Sequence, residues 1–230
     1  MARRSSSSMV VLALLGIDRW TPYELVQHLK RSMIHHIWPR AESKVYEEPK
    51  RLVAAGHAQA TVDRQNPRRT RYSISPEGRR VLARWVAEPG TGVRFESEGA
   101  LKVLFAENGT REDLLATVDA MRRDALADVA RVAGTLEFVL TEGPPYPGRI
   151  HQSVLVMDLV LRITTAVADW ADATERRVAG WPDLTADDAM RRAAIDLVRD
   201  LRERATAADR PRAAAHCPSG EQVVDGQAGG

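Results

Sequence analysis

The front of the chain alternates short apolar segments with residues that start and stop helices. Residues 9–16 are almost continuously apolar, which predicts a first helix that is buried on most of its surface. Thr21 precedes a proline and is followed three residues later by a glutamate, a pattern that starts a helix. This second helix is predicted to run to about Met33. Because proline follows Trp38, that residue is forced into extended geometry, and only a short connection leads to the next helix.

A third helix is predicted within residues 38–56. Val45 and Leu52 lie on its apolar side, and Gly56 closes it as a C-cap. Pro49 falls in its interior, where the missing N–H and the ring clash cost about 3 kcal/mol in a regular helix. We therefore expect a kink at this proline. The alternative is that the helix begins late enough to place the proline in a distorted early turn.

Two short runs of β-favouring residues, 57–62 and 70–75, follow the third helix and are joined by a turn-forming Asn-Pro. This pattern predicts a two-stranded wing. Four arginines fall within eight residues of the wing, namely Arg64, Arg68, Arg69 and Arg71. Arginines on a loop are hard to explain by core packing, and they suit phosphate contacts or insertion into the minor groove. A solvated cluster of charges is the alternative interpretation.

Beyond a helix that starts at Pro76, a Pro/Gly-rich break over residues 89–96 changes the character of the chain. A short helix over 97–106 leads to three long ones, the first capped by Thr110 and the others spanning about 150–180 and 185–207. Each carries apolar residues at spacings of three and four, close to a heptad repeat. The predicted stripes are Leu114, Val118, Met121, Ala125, Val129, Val132, Leu136 and Val139; Val156, Val160, Ile163, Val167, Trp170, Thr174 and Val178; and Met190, Ala194, Leu197 and Leu201.

These stripes must be buried, either in a bundle within one chain or against a second chain. We favour a homodimer, because a DNA-binding domain of this size usually contacts only a half-site on DNA. The predicted fold is therefore mostly α with a small two-stranded β-wing. Its divisions are a disordered arm over residues 1–8, a winged helix-turn-helix over 9–88, a linker over 89–96, an all-α dimerisation and effector domain with coiled-coil-like helices over 97–208, and a disordered tail over 209–230.

Charge separates the two halves of the 230-residue chain, although its net charge is only +2. Residues 1–88 hold 16 Lys and Arg against 8 Asp and Glu, whereas the remainder holds 17 against 23. A basic front on an acidic body indicates a head that binds a polyanion. No apolar run approaches the roughly 18 residues of a membrane span, and no signal-peptide cleavage site follows the first apolar stretch. We expect a cytoplasmic protein that binds no membrane.

The candidate chemistry for an enzyme is weak. The adjacent pairs His35-His36 and Asp187-Asp188 have no third partner at metal or catalytic spacing, and no glycine-rich loop suited to phosphate is present. The single cysteine, Cys217, excludes an internal disulfide or a cysteine-based zinc cluster. We expect no enzymatic activity, no cofactor and no metal.

A series of short motifs along residues 9–88 resembles the PadR-type transcriptional regulators. In this sequence the motifs are Ala13–Gly16, Tyr23–Leu25, Trp38–Pro39, Val45–Tyr46, Arg51–Leu52, Arg71–Ser75 and Pro76–Arg80. The rear half is similar, more loosely, to the long form of that family's helical dimerisation region. The resemblance implies a homodimeric winged-helix repressor that binds a palindromic operator in double-stranded DNA and is released by a small molecule. Two departures are Glu47, where many members have proline, and Pro22, where glycine is usual.

The resemblance and the polar side of the third helix together predict the DNA contacts. These are Tyr23, Arg40, Ser43, Lys44, Tyr46, Lys50, Arg64, Arg68, Arg69 and Arg71. We expect the lysines and the wing arginines to bind phosphates, and Ser43 and Tyr46 to reach base edges in the major groove, with Lys44 as a further candidate for a base contact.

A possible ligand site is predicted from five further side chains, suited to a small, planar aromatic effector between the heads or at the dimer seam. They are Trp85, Tyr146, His151, Trp170 and Trp181. Ordinary packing in a core or an interface is the alternative for each tryptophan. For the whole chain, the alternative function is a helical interaction protein whose basic head binds an acidic protein partner instead of DNA.

Overall fold

The structure, a computed structural model, describes residues 6–32, 34–38, 42–62, 66 and 69–209. Its elements are α1 (Ser6–Ile17), α2 (Pro22–Arg31), α3 (Ile34–Ile37), α4 (Glu42–Ala54), β1 (Ala58–Val62), β2 (Thr70–Ile74), α5 (Pro76–Ala87), α6 (Glu98–Leu104), α7 (Arg111–Glu142), α8 (Ile150–Ala179) and α9 (Asp188–Asp209). Short 3-10 turns lie at Ala106–Asn108 and Pro147–Arg149. The predicted fold class is confirmed: helices dominate, and β1 and β2 form an antiparallel pair.

The front elements, α1 to α5 with the two strands, are together called the head, and they share one hydrophobic core. Its buried residues are Met9, Val11, Leu12, Leu14, Leu15, Leu25, Val26, Val45, Leu52, Ala58, Tyr72, Ile74 and Val81. Helix α1 lies at its centre because its apolar residues are nearly continuous and leave no polar face for solvent. Residues 88–97, which include the predicted linker, contain no helix or strand.

The starts of the helices follow the predicted capping residues. The hydroxyl of Thr21 accepts the N–H of Glu24, and the Glu24 carboxylate accepts the N–H of Thr21, which completes a capping box. Gly56 closes α4 with φ of +73°, in the left-handed region that favours glycine.

Helix α1 begins earlier than the predicted disordered arm over residues 1–8 allows. Ser6, Ser7 and Ser8 form its first turn, while residues 1–5 lie outside the described part of the chain. Two of these serines form polar contacts with the rest of the head. The indole N–H of Trp38 donates to Ser7 Oγ at 3.4 Å, and Ser8 Oγ donates to the Glu48 carboxylate. The short connection before Trp38 also differs from the prediction, since Ile34–Ile37 forms the single turn of α3.

The rear half is built around a hairpin of α7 and α8, which pack along each other. Leu114, Val118, Ala125 and Val132 of the predicted α7 stripe are buried. On α8 the prediction was one position out in the middle of the helix, since the buried residues include Met157, Thr164, Ala168 and Ala171. Small side chains thus belong to the buried side of α8 together with Met157, while the larger Ile163, Val167 and Trp170 remain partly exposed.

Helix α9 differs most from the prediction. It has the expected amphipathic pattern, yet none of its residues is buried within the single chain. Leu201, one of the four predicted core positions, is 48% exposed. The apolar side of α9 therefore contributes to no core in the part of the chain that the structure describes, which argues against a three-helix bundle closed within one chain. The tail from residue 210 lies outside the described residues. In the described ranges, no helix combines the length and apolarity that a membrane span requires.

Candidate nucleic-acid interface

Helix α4 packs with one side in the core of the head and leaves the other side exposed. Val45 and Leu52 are buried inward, as predicted, and Tyr46, Glu47 and Lys50 lie on the exposed side. Lys50 Nζ lies 3.6 Å from the Glu47 carboxylate, one helical turn away, with both side chains more than half exposed. A surface pair of this kind is weak, so the lysine can exchange its partner for a phosphate at little cost.

Pro49 and Glu48, the unusual residues of α4, both point into the head. The proline is fully buried and lies eight residues into a helix that continues past it, so a late helix start does not explain its presence. Glu48 is 9% exposed, and its carboxylate accepts a hydrogen bond from Ser8 Oγ and lies 3.8 Å from the Arg51 guanidinium. One of the acidic residues of this helix is therefore turned away from the outer side.

The side chains of three predicted DNA contacts near α4 lie outside the residues that the structure describes. Ser43 and Lys44 belong to the first turn of the helix, but their side chains lie outside the described residues, as does all of Arg40. Tyr46 is described and is 38% exposed. Tyr23, at the start of α2, is 62% exposed and so is available to a ligand of the head.

The wing is a regular antiparallel pair in which Ala58 faces Ile74 and Val62 faces Thr70. Of its tip, Arg64 and Arg68 lie outside the described residues, whereas Arg69 is exposed and its backbone N–H donates to the Asn66 carbonyl at 2.8 Å.

Arg71 has a different environment from Arg69. Its guanidinium forms two hydrogen bonds to the Glu24 carboxylate, at 3.1 and 3.2 Å, and a third to the Arg19 carbonyl at 3.1 Å. Partial burial would raise the pKa of the Glu24 carboxyl, but the hydrogen bonds from Thr21 and the interactions with Arg71 outweigh it and hold that pKa below its ordinary value. The carboxylate is thus charged, and it holds the arginine on the side of the head.

The five predicted ligand-binding residues are not gathered in one place. Trp181 is half-buried against the end of the α7–α8 hairpin where α8 finishes, whereas Tyr146 lies at the opposite tip, where α8 is about to begin. Since α8 has 30 residues, the two rings are separated by about 45 Å of helix. His151 is exposed, and Trp85 and Trp170 are 42% and 38% exposed. A single pocket lined by all five is therefore excluded within one chain.

Tyr146 instead joins an aromatic group that sequence reasoning missed. The centroid of its ring lies 5.9 Å from that of His28, which lies 4.9 Å from Trp20. Burial lowers the pKa of His28, and burial together with the charge of Asp18 raises the pKa of Tyr146. The tip of the rear hairpin thus contacts the reading head of its own chain. Only the long-range fold brings these residues together, so no local sequence signal could have found them.

The described residues contain no group of three or more His, Cys, Asp or Glu side chains placed to hold a metal ion. The outer side of α4 and the start of α2 are exposed, and the wing follows α4 directly in the chain.

The chain is similar to several known proteins in sequence or in fold. No family model matches the sequence. The probable transcriptional regulator Rv1176c of Mycobacterium tuberculosis is 26% identical over 162 residues, which cover 65% of this chain and 85% of the relative. A PadR-like transcriptional regulator from Bacillus cereus has a similar structure, with a TM-score of 0.63 at 15% identity over 75% of this chain and 98% of the other.

PadR of Bacillus subtilis is also similar, in two crystal structures. In complex with operator DNA it has a TM-score of 0.62 at 17% identity and covers 76% of this chain and 99% of the other. In complex with p-coumaric acid the TM-score is 0.60 at 16% identity, over the same shares of the two chains. The resemblance to PadR-type regulators that the motifs predict is confirmed at the level of the fold.

Proposed function

We propose that this chain is a cytoplasmic, sequence-specific DNA-binding regulator of transcription of the PadR type, and not an enzyme. The observation that carries the proposal is the exposed outer side of α4 beside the arginine-bearing wing. This arrangement occurs in a fold shared with a protein whose structure contains operator DNA.

In this proposal α4 enters the major groove and the wing follows the phosphate backbone. Tyr46 and Ser43 contact base edges, because they belong to the helix that would enter the groove. The remaining cationic contacts, from Arg40, Lys44, Lys50, Arg64, Arg68 and Arg69, bind phosphates and supply affinity that does not depend on sequence. Tyr23, exposed at the start of α2, adds a contact to the backbone beside α4.

We further propose that the protein is a homodimer that binds a palindromic operator. The rear helices expose apolar side chains in the single chain, namely Leu155, Leu159 and Trp170 on α8 and Ile195, Val198 and Leu201 on α9. Leu155 is 71% exposed and Ile195 is 52% exposed, and amphipathic helices are stable when such faces are covered. A second copy would cover them and present two heads to two half-sites.

A selection experiment with the purified full chain and random duplex DNA tests the DNA-binding proposal. The selected sequences are expected to share an inverted repeat, with half-sites separated by about one helical turn, or 34 Å, or by a multiple of it. A footprint without two-fold symmetry, or retention of an acidic protein with no preference among duplexes, would favour the interaction-protein alternative.

Lys50→Gln and Lys102→Gln form a matched pair for the assignment of α4. Both lysines are similarly exposed, at 64% and 62%, and each is paired with a glutamate on its own helix. Removing Lys50 is expected to weaken binding to all duplexes and to flatten the plot of log K against log salt by about 0.9. Lys102→Gln, on α6, is expected to leave the duplex affinity and the salt slope unchanged. Equal effects of the two substitutions would contradict the placement of DNA along α4.

We also propose that the protein represses transcription and that a small aromatic ligand releases it from DNA. The support is the complex of Bacillus subtilis PadR with p-coumaric acid and the aromatic contact between Tyr146 and the head of this chain. A ligand regulates binding only if it has different affinities for the DNA-bound and free states.

Phenolic acids can be titrated while indole fluorescence and DNA affinity are both followed, with Trp20→Phe as the control for the reporter. A release of operator DNA that follows the fluorescence change is expected. DNA affinity that stays constant at saturating ligand would contradict regulation by this class of compound.

A further inference from the structure

The wing is braced on the side that faces α2. Trp20, just before that helix, pairs with Tyr72 through two backbone hydrogen bonds: the Trp20 N–H donates to the Tyr72 carbonyl at 3.0 Å, and the Tyr72 N–H donates back at 2.8 Å. Strand β2 thus lies between β1 and a one-residue bridge. An isolated two-stranded hairpin is marginally stable in water, so contacts along this edge decide how firmly the wing is held.

One carboxylate joins α2 to the same strand. Glu24 accepts the N–H of Thr21 at 2.8 Å, which caps α2, and also accepts both arms of the Arg71 guanidinium. The same guanidinium donates to the Arg19 carbonyl, which lies in the connection that leads to Trp20. Glu24 and Arg71 each have side chains about one-third exposed, at 35%. A paired, planar contact of this kind restricts orientation more than a single ammonium contact would.

The geometry points to Glu24 and Arg71 as positioning residues that hold the wing against α2, so that the exposed Arg69 and the outer side of α4 meet one DNA duplex together. This inference rests on the proposed function and refines it, because it moves Arg71 from the set of phosphate contacts to the frame that orients them. Arg69 stays among the phosphate contacts, since its side chain is exposed at the tip side of the strand.

The two roles for Arg71 predict opposite effects of neutralising its partner. If Arg71 bound a phosphate while Glu24 competed for it, Glu24→Gln would release the guanidinium, remove a negative charge and strengthen DNA binding. If the pair positions the wing, the same substitution loosens the wing and weakens binding, despite the more favourable net charge. Glutamine can still cap α2, so the helix start is preserved.

The test measures duplex affinity against salt concentration for the full-length wild-type chain, Glu24→Gln, Arg71→Gln and the double variant. Each single substitution is expected to weaken binding about fivefold, the factor that corresponds to the upper range of a partly exposed ion pair. The double variant is expected to be no weaker than Arg71→Gln alone, because both substitutions break the same contact. The salt slope should stay at the wild-type value.

Two controls separate positioning from charge. Arg69→Gln removes an exposed wing arginine and is expected to flatten the salt slope by about 0.9. Glu77→Gln removes a head carboxylate that pairs with arginines of its own helix α5, and it measures the general gain from a lost negative charge. Stronger binding by Glu24→Gln than by Glu77→Gln, or a slope flattened by Arg71→Gln as much as by Arg69→Gln, would overturn the inference.

Hydrogen exchange of the Tyr72 amide measures, in the absence of DNA, how firmly the wing is held against α2; we call this contact the brace. This N–H is bonded to Trp20, so exchange should become faster in both Glu24→Gln and Arg71→Gln, while circular dichroism and the melting transition show that the head remains folded. Unchanged exchange would overturn the inference, and so would altered exchange with unaltered DNA affinity, since the pair would then be merely structural. If the wild-type chain selected no duplex at all, the proposed function would fail, while faster Tyr72 exchange would still support the brace.

Discussion

Replacing Gly78 with alanine should damage the head far more than its helical position suggests. Gly78 lies in the first turn of α5, where alanine would normally be favoured over glycine by about 1 kcal/mol. A Cβ built there would lie 2.0 Å from the His57 carbonyl oxygen and 2.9 Å from a side-chain carbon of Ile74. The nearest atom belongs to the backbone, so no side-chain rotation can relieve the overlap.

The cost can be estimated from what must move. Overpacking of this kind costs about 1–3 kcal/mol. The His57 carbonyl also accepts the N–H of Ser75 at 3.0 Å, and displacing it would weaken that bond at a cost of about 1–3 kcal/mol. After the gain in helix propensity of about 1 kcal/mol is subtracted, Gly78→Ala is expected to destabilise the chain by about 1–5 kcal/mol.

Urea unfolding followed by circular dichroism measures this loss, with Gly134→Ala as the control. Gly134 lies within α7 with open space around its Cβ position, so alanine there should stabilise the chain by up to about 1 kcal/mol. Because His57 directly precedes β1 and Ile74 is the last residue of β2, Gly78→Ala should also weaken duplex binding under conditions where the chain is still helical. A free energy of unfolding within about 0.5 kcal/mol of the wild type would refute the argument, since the close approach of α5 to the wing would then not constrain position 78.

Three other substitutions follow from single contacts. Arg111→Ala removes hydrogen bonds of 3.2 and 3.0 Å to the carbonyls of the last two residues of α8, and should lower the free energy of unfolding by about 1–2 kcal/mol. Urea titrations measure this loss, and an unchanged free energy of unfolding would show that water replaces the guanidinium. Ser8→Ala leaves the buried Glu48 carboxylate without its hydroxyl donor, and should cost about 1–3 kcal/mol and weaken DNA binding, whereas Ser8→Thr should retain both properties. Burial lowers the pKa of His28 in the folded state, so the neutral ring stabilises the chain above its unfolded pKa of about 6.5, and this contribution is lost as pH falls through the folded pKa. The melting temperature should therefore decline more steeply between pH 7.5 and 5 for the wild type than for His28→Phe, and parallel curves would contradict the assignment.

Local patterns predicted the elements of the head, because their signals come from neighbouring residues. Thr21 caps α2 and Thr110 caps α7, each through a capping box closed three residues later. The alternation around Tyr72 placed both strands of the wing within a residue. The contacts that decide how these elements act together join distant positions, such as Glu24 with Arg71 and Ser8 with Glu48. A charge pattern does not specify such pairs, so the run of arginines in the sequence does not distinguish Arg71, which contacts Glu24, from Arg69.

The rear half shows a second limit of sequence patterns. Amphipathic spacing indicates that one face of a helix is buried, but it does not say against what. On α8 the spacing also supports two neighbouring stripes, and the small Thr164, Ala168 and Ala171, weak signals of burial in a sequence, form the one that packs on α7. The larger Trp170 belongs to the stripe left exposed.

In the proposed dimer, the exposed faces of the rear helices and the tip of the α7–α8 hairpin would connect dimerisation to the head. The same α7–α8 hairpin that carries the exposed face of α8 ends in the turn where Tyr146 meets His28. His28 lies against Trp20, whose backbone pairs with the wing. A second copy that covers α8 and α9 would therefore limit the movement of a hairpin that contacts the head beside its wing. In the proposed dimer, one pair of helices would set both the separation of the two heads and the support of each wing, so a change at the hairpin tip would alter both.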